Sequence, residues 1–168
     1  KKNIIIDESL KYAKTIQDSI IPPFAKFRTL FPNSFILSKP KDIVSGDFYW
    51  ANSVATENSD LFFIAVCDST GHGVPGAFMS LLNIGFLSEA INEKQIYKPN
   101  EVFDFVRERL TSSISKDGQK DGFDGILICI DKTTNTITYS AANNKPVLIN
   151  TNILTEAVCD KMPVGVGE

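Results

Sequence analysis

A run of seven apolar residues, Leu61 to Cys67 (LFFIAVC), stops at Asp68 and gives way to Gly71, Gly73 and Gly76, spaced as G-x-G-x-x-G. An unbroken apolar run this short, rich in aromatic and branched members, reads as a central strand buried on both faces. Pro75 sits where the first turn of a helix tolerates proline, and Phe78, Leu81, Leu82, Gly85, Phe86 and Ala90 give that helix an apolar face. Strand, glycine loop and helix in this order raise the question of dinucleotide binding. That fold needs a second strand after the helix, with an acidic residue about 20 positions on for the ribose. Here another helix follows, Glu89 and Glu93 fall toward the end of the first one, and the Asp68 carboxylate would repel a pyrophosphate. The context rejects the dinucleotide reading.

Upstream, SFILSK (34–39) and IVSGDFYW (43–50) also read as extended. The second is separated from LFFIAVC by ANSVATENSD, whose Asn, Ser and Asp suit a turn between antiparallel neighbours. Downstream, a second helix is expected to start at Asn100, a good cap, and to bury Val102, Phe103, Val106, Leu110 and Ile114. Arg107, Glu108 and Ser112 fall on its solvated face. After the turn-rich SKDGQKDGFDG come the short strands ILICID, TITYSAA, PVLINT and ILTEAV. Strands, two consecutive helices and more strands predict an α+β chain with a meandering antiparallel sheet rather than a doubly wound parallel one. At the start, Leu10, Ala13, Ile16 and Ile20 mark one face of a helix over about Glu8 to Ile21, ended by Pro22 and Pro23. Packing on its own domain and pairing with a second copy both suit that stripe.

If the strands around Asp47 and Asp68 form a hairpin, the two carboxylates approach one another. Aspartates supply hard oxygen ligands, and the lack of His or Cys at ligand spacing favours magnesium or manganese over zinc. Turn aspartates making local backbone bonds are the competing reading. A Cys67/His72 nucleophilic pair is a poor third, because strand alternation points Cys67 into the core if Asp68 points to a cleft. Composition narrows the partners. At 168 residues and 43% hydrophobic the chain is about one domain long, and its 17 basic and 20 acidic residues are dispersed. No electrostatic footprint for nucleic acid or an anionic membrane results. Of three cysteines, Cys67 and Cys129 lie in apolar runs as small hydrophobes, Cys159 does not, and a reducing cytoplasm fits them. No apolar run approaches the ~20 residues of a bilayer span, and KKNIIIDESL lacks a signal-peptide core. The segment is therefore expected to be soluble, with an anchor elsewhere in a longer gene product compatible with it.

SGDFYW, VCDSTGHGVPGAFMSLL, DGFDGILICID, ITYSAANNKPVLI and KMPVGV, in this order, give the chain from about Phe35 onward a family likeness. It resembles the SpoIIE-like (RsbU-like) bacterial branch of the PPM, or type 2C, metal-dependent protein serine/threonine phosphatases. The resemblance implies a four-layer αββα sandwich with mixed, mostly antiparallel sheets and two Mn2+ or Mg2+ ions in a cleft at one end. It also implies a linker helix over 1–24, joining an upstream sensor domain and supporting a homodimer, ahead of a phosphatase domain over 25–168. By motif match, Asp68 would bridge both metals, Ser69 would offer its backbone carbonyl to one, and Asp47 would lie in the metal shell. Water shared by two metals about 3.5 to 4 Å apart is acidified and attacks the phosphorus of phosphoserine or phosphothreonine in line. Gly71 and Gly73 would turn the backbone beside the metals, and Asn143 and Asn144 would belong to the substrate side of the site. His72 would give a proton to the leaving alkoxide, bind phosphate, or only shape the loop. Asp121 and Asp124 would either touch a further metal or be solvated loop acids. The implied substrate is a phosphorylated regulator, such as an anti-sigma-factor antagonist, in a sigma-factor or two-component-type pathway.

The likeness breaks at the C-terminus. Family members continue to a strand ending in Asp-Gly and a last strand with another Asp, both feeding the metal site, whereas the sequence stops at Glu168 and Asp160 precedes MPVG. The expectation is a domain lacking its C-terminal part, weakened in metal binding and exposing a sheet edge. The alternative is a catalytically incomplete regulatory or dimerisation module of the same fold.

Overall fold

The computed structural model describes residues 2–114 and 121–166. Its first element is helix α1 (Lys2–Ile20), ended by the two prolines, and a short helix α2 (Phe24–Leu30) follows. Strands β1 (Asp47–Ala55) and β2 (Asp60–Ser69) form an antiparallel hairpin. The turn between them is closed by Thr56, whose amide donates to the Ser59 carbonyl at 2.8 Å and whose hydroxyl accepts the Ser59 amide at 2.9 Å. Then come α3 (Gly73–Ser88), continued by a wider turn over Glu89–Glu93, and α4 (Pro99–Ser113). The rest is extended: β3 (Gly122–Asp131), β4 (Thr136–Ala142), β5 (Val147–Asn150), β6 (Ile153–Glu156) and β7 (Val164–Gly165).

The sheet runs β1-β2-β3-β4, with β7 on β3, and β5-β6 form a separate two-stranded sheet. All strand pairs are antiparallel, and one parallel bridge joins Ala142 to Asp160. This is the α+β class expected from the order of elements. Alternation along β2 sends Leu61, Phe63, Ala65 and Cys67 toward a buried cluster with Leu87, Ile91, Val102, Phe103, Val106 and Leu110 from the helical segments. Phe103 and Phe123 meet edge to face, 5.5 Å between centroids. The Leu, Ile, Val and Phe side chains among these, once fully buried, contribute roughly 1.5 to 3 kcal/mol each, so this face of the sheet carries most of the stability.

Several details differ from the sequence reading. SFILSK (34–39) is irregular rather than a strand. β2 is central but not buried on both faces: Phe62 lies under Phe27 and Phe31, at 6.0 and 5.1 Å between centroids, while Val66 is 58% exposed. On α3, Phe78 is 65% exposed and the buried face carries Gly76, Ala77, Met79, Ser80, Asn83, Ile84 and Leu87. The helix is apolar nearly all round, so periodicity alone could not choose its inner face. Together with the wider turn it makes a 21-residue segment, Gly73–Glu93, of mean hydropathy 1.4, long and apolar enough by those measures to cross a bilayer. Half of it is buried within the protein, as befits a core helix. Lys98, not Asn100, caps α4, with Pro99 as its first residue, the position where the missing amide costs nothing. Arg107 is no solvated bystander either: its Nη2 donates to the Pro163 carbonyl at 3.4 Å, fastening α4 to the segment entering β7.

Candidate metal centre

Strand register decides which acids meet. β1 pairs Asp47 with Asp68, and β3 pairs Asp124 with Asp68, so three aspartates form a row across adjacent strands. Partners in register share a face, and this face is opposite the one that buries Cys67. Partial burial, a hydrogen bond with the Asp47 carboxyl, and the charges of Asp47 and Asp124 together push the Asp68 carboxyl above its ordinary value. The crowding of negative charge favours a proton or a cation at Asp68. Burial and the neighbouring Asp68 charge push the Cys67 thiol up as well, which removes it as a nucleophile.

Backbone contacts hold the strand ends together. The Ser69 amide donates to the Gly46 carbonyl at 3.3 Å, tying the end of β2 to the residue before Asp47. Thr70 clamps the start of β3: its amide and hydroxyl donate to the Gly122 carbonyl at 2.9 and 3.1 Å, and its Oγ1 accepts the Gly122 amide at 3.1 Å. The glycine loop then folds back. Gly71 and Gly73 have φ of +91° and +61°, where a side chain is strained. The Gly71 carbonyl wedges between Gly46 and Gly76, since a Cβ at either would lie 2.8 or 2.5 Å from that oxygen. Two of the glycines in the G-x-G-x-x-G spacing thus serve φ and the third serves space. His72 precedes α3 in an extended conformation, so the first amides of the helix open beside the loop without a side-chain cap.

Other expected residues gather around this row to different degrees. The Asn143 side-chain amide donates to Asp124 Oδ1 at 2.7 Å, and Asn143 itself adopts φ +58°. Asn144 lines a cleft of about 240 Å³ with Asp47, Asp68, Lys39, Tyr49 and Val66. A smaller cleft of about 100 Å³ is lined by Asp47, Asp68, Gly71, His72, Gly73 and Lys41. His72 is 81% exposed, its Nδ1 lying 3.5 Å from Asp42 Oδ2. Asp121 lies outside both clefts, and its carbonyl accepts the Val166 amide at 3.4 Å. The Ser69 side chain is buried and accepts the Asn83 amide at 3.0 Å, leaving its backbone carbonyl beside Gly46.

Residues the sequence reading missed do much of the positioning. Gln17 of α1 is buried: its amide nitrogen donates to the Ser45 carbonyl at 2.6 Å and to Ser80 Oγ at 2.9 Å, and its oxygen accepts the Ser45 amide at 3.1 Å. Its spacing from Leu10 and Ala13 was the available signal. Gly46, directly before Asp47, and Asn83, polar inside an apolar helix, were likewise visible but without an assigned partner.

The donor set suits a hard divalent cation. Two carboxylates in contact, a nearby backbone carbonyl and room for water match the way magnesium and manganese bind, through one or two acids and several waters. Among the described residues, however, no group of three or more His, Cys, Asp or Glu side chains is drawn tightly enough to hold a metal ion. Asp124 acts on Asp68 by its charge and is itself engaged by Asn143.

Residues 58–168 match the family described as Stage II sporulation protein E (SpoIIE). Among solved structures the chain is similar to the SiaA-PP2C domain of Pseudomonas aeruginosa, with TM-score 0.80 and 27% identity, over 98% of this chain and 65% of that one. The chain thus spans slightly less than two thirds of that structure's length. A structure described under "The bacterial stressosome: a modular system that has been adapted to control secondary messenger signaling" shares the fold. It has TM-score 0.53 and 17% identity, over 79% of this chain and 62% of that one. No curated protein matches.

Proposed function

Because this chain belongs to the SpoIIE family and has a PP2C-type phosphatase fold, we propose that it hydrolyses phosphoserine or phosphothreonine on a signalling protein. The observation that carries the reading is the contact between Asp47 and Asp68 at the mouth of the hairpin, with the raised proton affinity of Asp68. These two carboxylates and the Ser69 carbonyl are the groups that would hold Mn2+ or Mg2+. Such ions, when bound, acidify water to a nucleophile and screen the phosphoryl oxygens. The protein's own contributions are otherwise electrostatic and geometric. The open amides at the start of α3 favour an anion, and Lys39 and Lys41, one in each cleft, offset the negative charge that the aspartates present to a phosphate. His72 stands at the rim of the smaller cleft, where it would return a proton to the departing serine oxygen.

The substrate in this reading is a phosphorylated regulatory protein of a sigma-factor or two-component-type pathway. The parent protein acts in the cytoplasm, receives its signal from an upstream domain through α1, and is a homodimer. The exposed Ile5, Ile6, Tyr12, Ile16 and Ile20 of α1 support that pairing. The test is dephosphorylation of a phosphoserine protein by the full-length parent, with and without manganese, beside Asp68→Asn. The expected result is manganese-dependent turnover that Asp68→Asn lowers by more than the ~10 to 100-fold typical of outer-shell partners. Turnover without manganese, or an undiminished variant, overturns the mechanism. The absence of a tight three-acid group among the described residues favours a second reading, a non-catalytic regulatory module of the same fold. A parent that binds its phosphoprotein yet never turns it over would establish that one.

A further inference from the structure

α3 buries two polar side chains in its inner face, Ser80 and Asn83, both fully inaccessible. Ser80 is satisfied, accepting from Gln17 and donating to the Ala77 carbonyl at 2.8 Å. Asn83 is not: its Nδ2 donates to Ser69 Oγ at 3.0 Å, while its Oδ1 has no partner among the described residues. A buried amide oxygen without a partner is destabilising, and beside Ile84 and Leu87 an apolar side chain of similar size would serve the core better. What the amide does hold is Ser69. That residue follows Asp68 directly, and its amide is bonded to the carbonyl of Gly46, which precedes Asp47. One side chain of α3 therefore grips the point where the two acid-bearing strand ends are joined.

We infer that Asn83 is a positioning residue for the carboxylate pair: by holding Ser69 it fixes the spacing of Asp47 and Asp68, and so their affinity for a divalent cation. The inference rests on the metal reading of these acids given above. Its test uses the full-length parent, with manganese affinity measured by calorimetry and thermal midpoints measured in chelator. Asn83→Leu is expected to keep or raise the metal-free midpoint while weakening manganese binding about 10-fold. Ser69→Ala, which removes the acceptor and leaves the backbone carbonyl in place, is expected to weaken binding similarly. The double variant should be no weaker than either single one, because both remove the same contact. A folded Asn83→Leu that binds manganese like the wild type overturns the inference, as does a double variant whose losses simply add. If Asn83→Leu fails to fold, Ser69→Ala alone decides: unchanged affinity overturns the inference and a 10-fold loss supports it. A wild-type parent that binds no manganese instead removes the metal reading, and this inference with it.

Discussion

Asp68 is the residue at which the geometry becomes a titration. Its folded carboxyl value lies above the ordinary 3.8, through burial, its bond to Asp47, and the charges of Asp47 and Asp124. A carboxyl whose folded value is raised stabilises the fold fully below the ordinary aspartate value, and that contribution is lost as pH rises through the folded value. Thermal midpoints in chelator should therefore fall as pH rises through this window, and Asp68→Asn should flatten the fall. A fall of the same slope in the variant would show that Asp68 is not its source. Glycines give a second prediction at this scale. Gly76→Ala and Gly46→Ala should each cost about 1 to 3 kcal/mol in urea unfolding, since their Cβ atoms would meet the Gly71 carbonyl. Gly85→Ala, whose Cβ would meet nothing within 4 Å among the described residues, should instead gain about 0.5 to 1 kcal/mol. The Asp47–Asp68 meeting was legible in the sequence because a hairpin with a recognisable turn fixes its own register. Asn83 was not, because a polar residue in an apolar helix does not announce what it touches.

At the scale of elements, α1 is joined to the site by one buried side chain. Gln17→Ala removes two donors and an acceptor, leaving the Ser45 amide and carbonyl without those partners. The expected loss is about 1 to 3 kcal/mol in chemical denaturation, accompanied by faster proteolysis within α1. An unchanged cleavage rate would show that α1 is held by its other contacts. The sequence located the helices and strands in the order found, apart from α2, the short β7 and the irregular 34–39 stretch. Elements with strong alternation or clear breakers were readable. The inner face of α3 was not, since a helix apolar on all sides takes its orientation from the sheet it lands on rather than from its own pattern. The cap of α4 slipped two residues for a related reason: Pro99 is pre-shaped for a first turn and outcompetes the side-chain cap that Asn100 offered.

The molecule as a whole is unevenly finished. One face of the main sheet is sealed by α3 and α4, whereas the face bearing the aspartate row also exposes Val66, Ile137 and Tyr139, and the β5-β6 hairpin exposes Leu148, Ile149, Ile153 and Leu154. Apolar surface on this scale marks a region built to be covered. The acids lie at the far end of the β1-β2 hairpin from its turn at Thr56 and Ser59, and β1 is the edge strand of the sheet. An edge strand held by a turn at one end frays from the other, so the mouth of this hairpin is where local opening should begin. A cation shared by Asp47 and Asp68 would act there as a removable cross-link, added to the Ser69–Gly46 backbone bond. Adding magnesium should slow amide exchange at residues 47–50 and 65–68 more than at 53–62, and equal slowing at both ends would count against such a link. The mouth of the hairpin would then have two fasteners of different kinds: a permanent backbone bond from Ser69 to Gly46, and a cation that protons can displace.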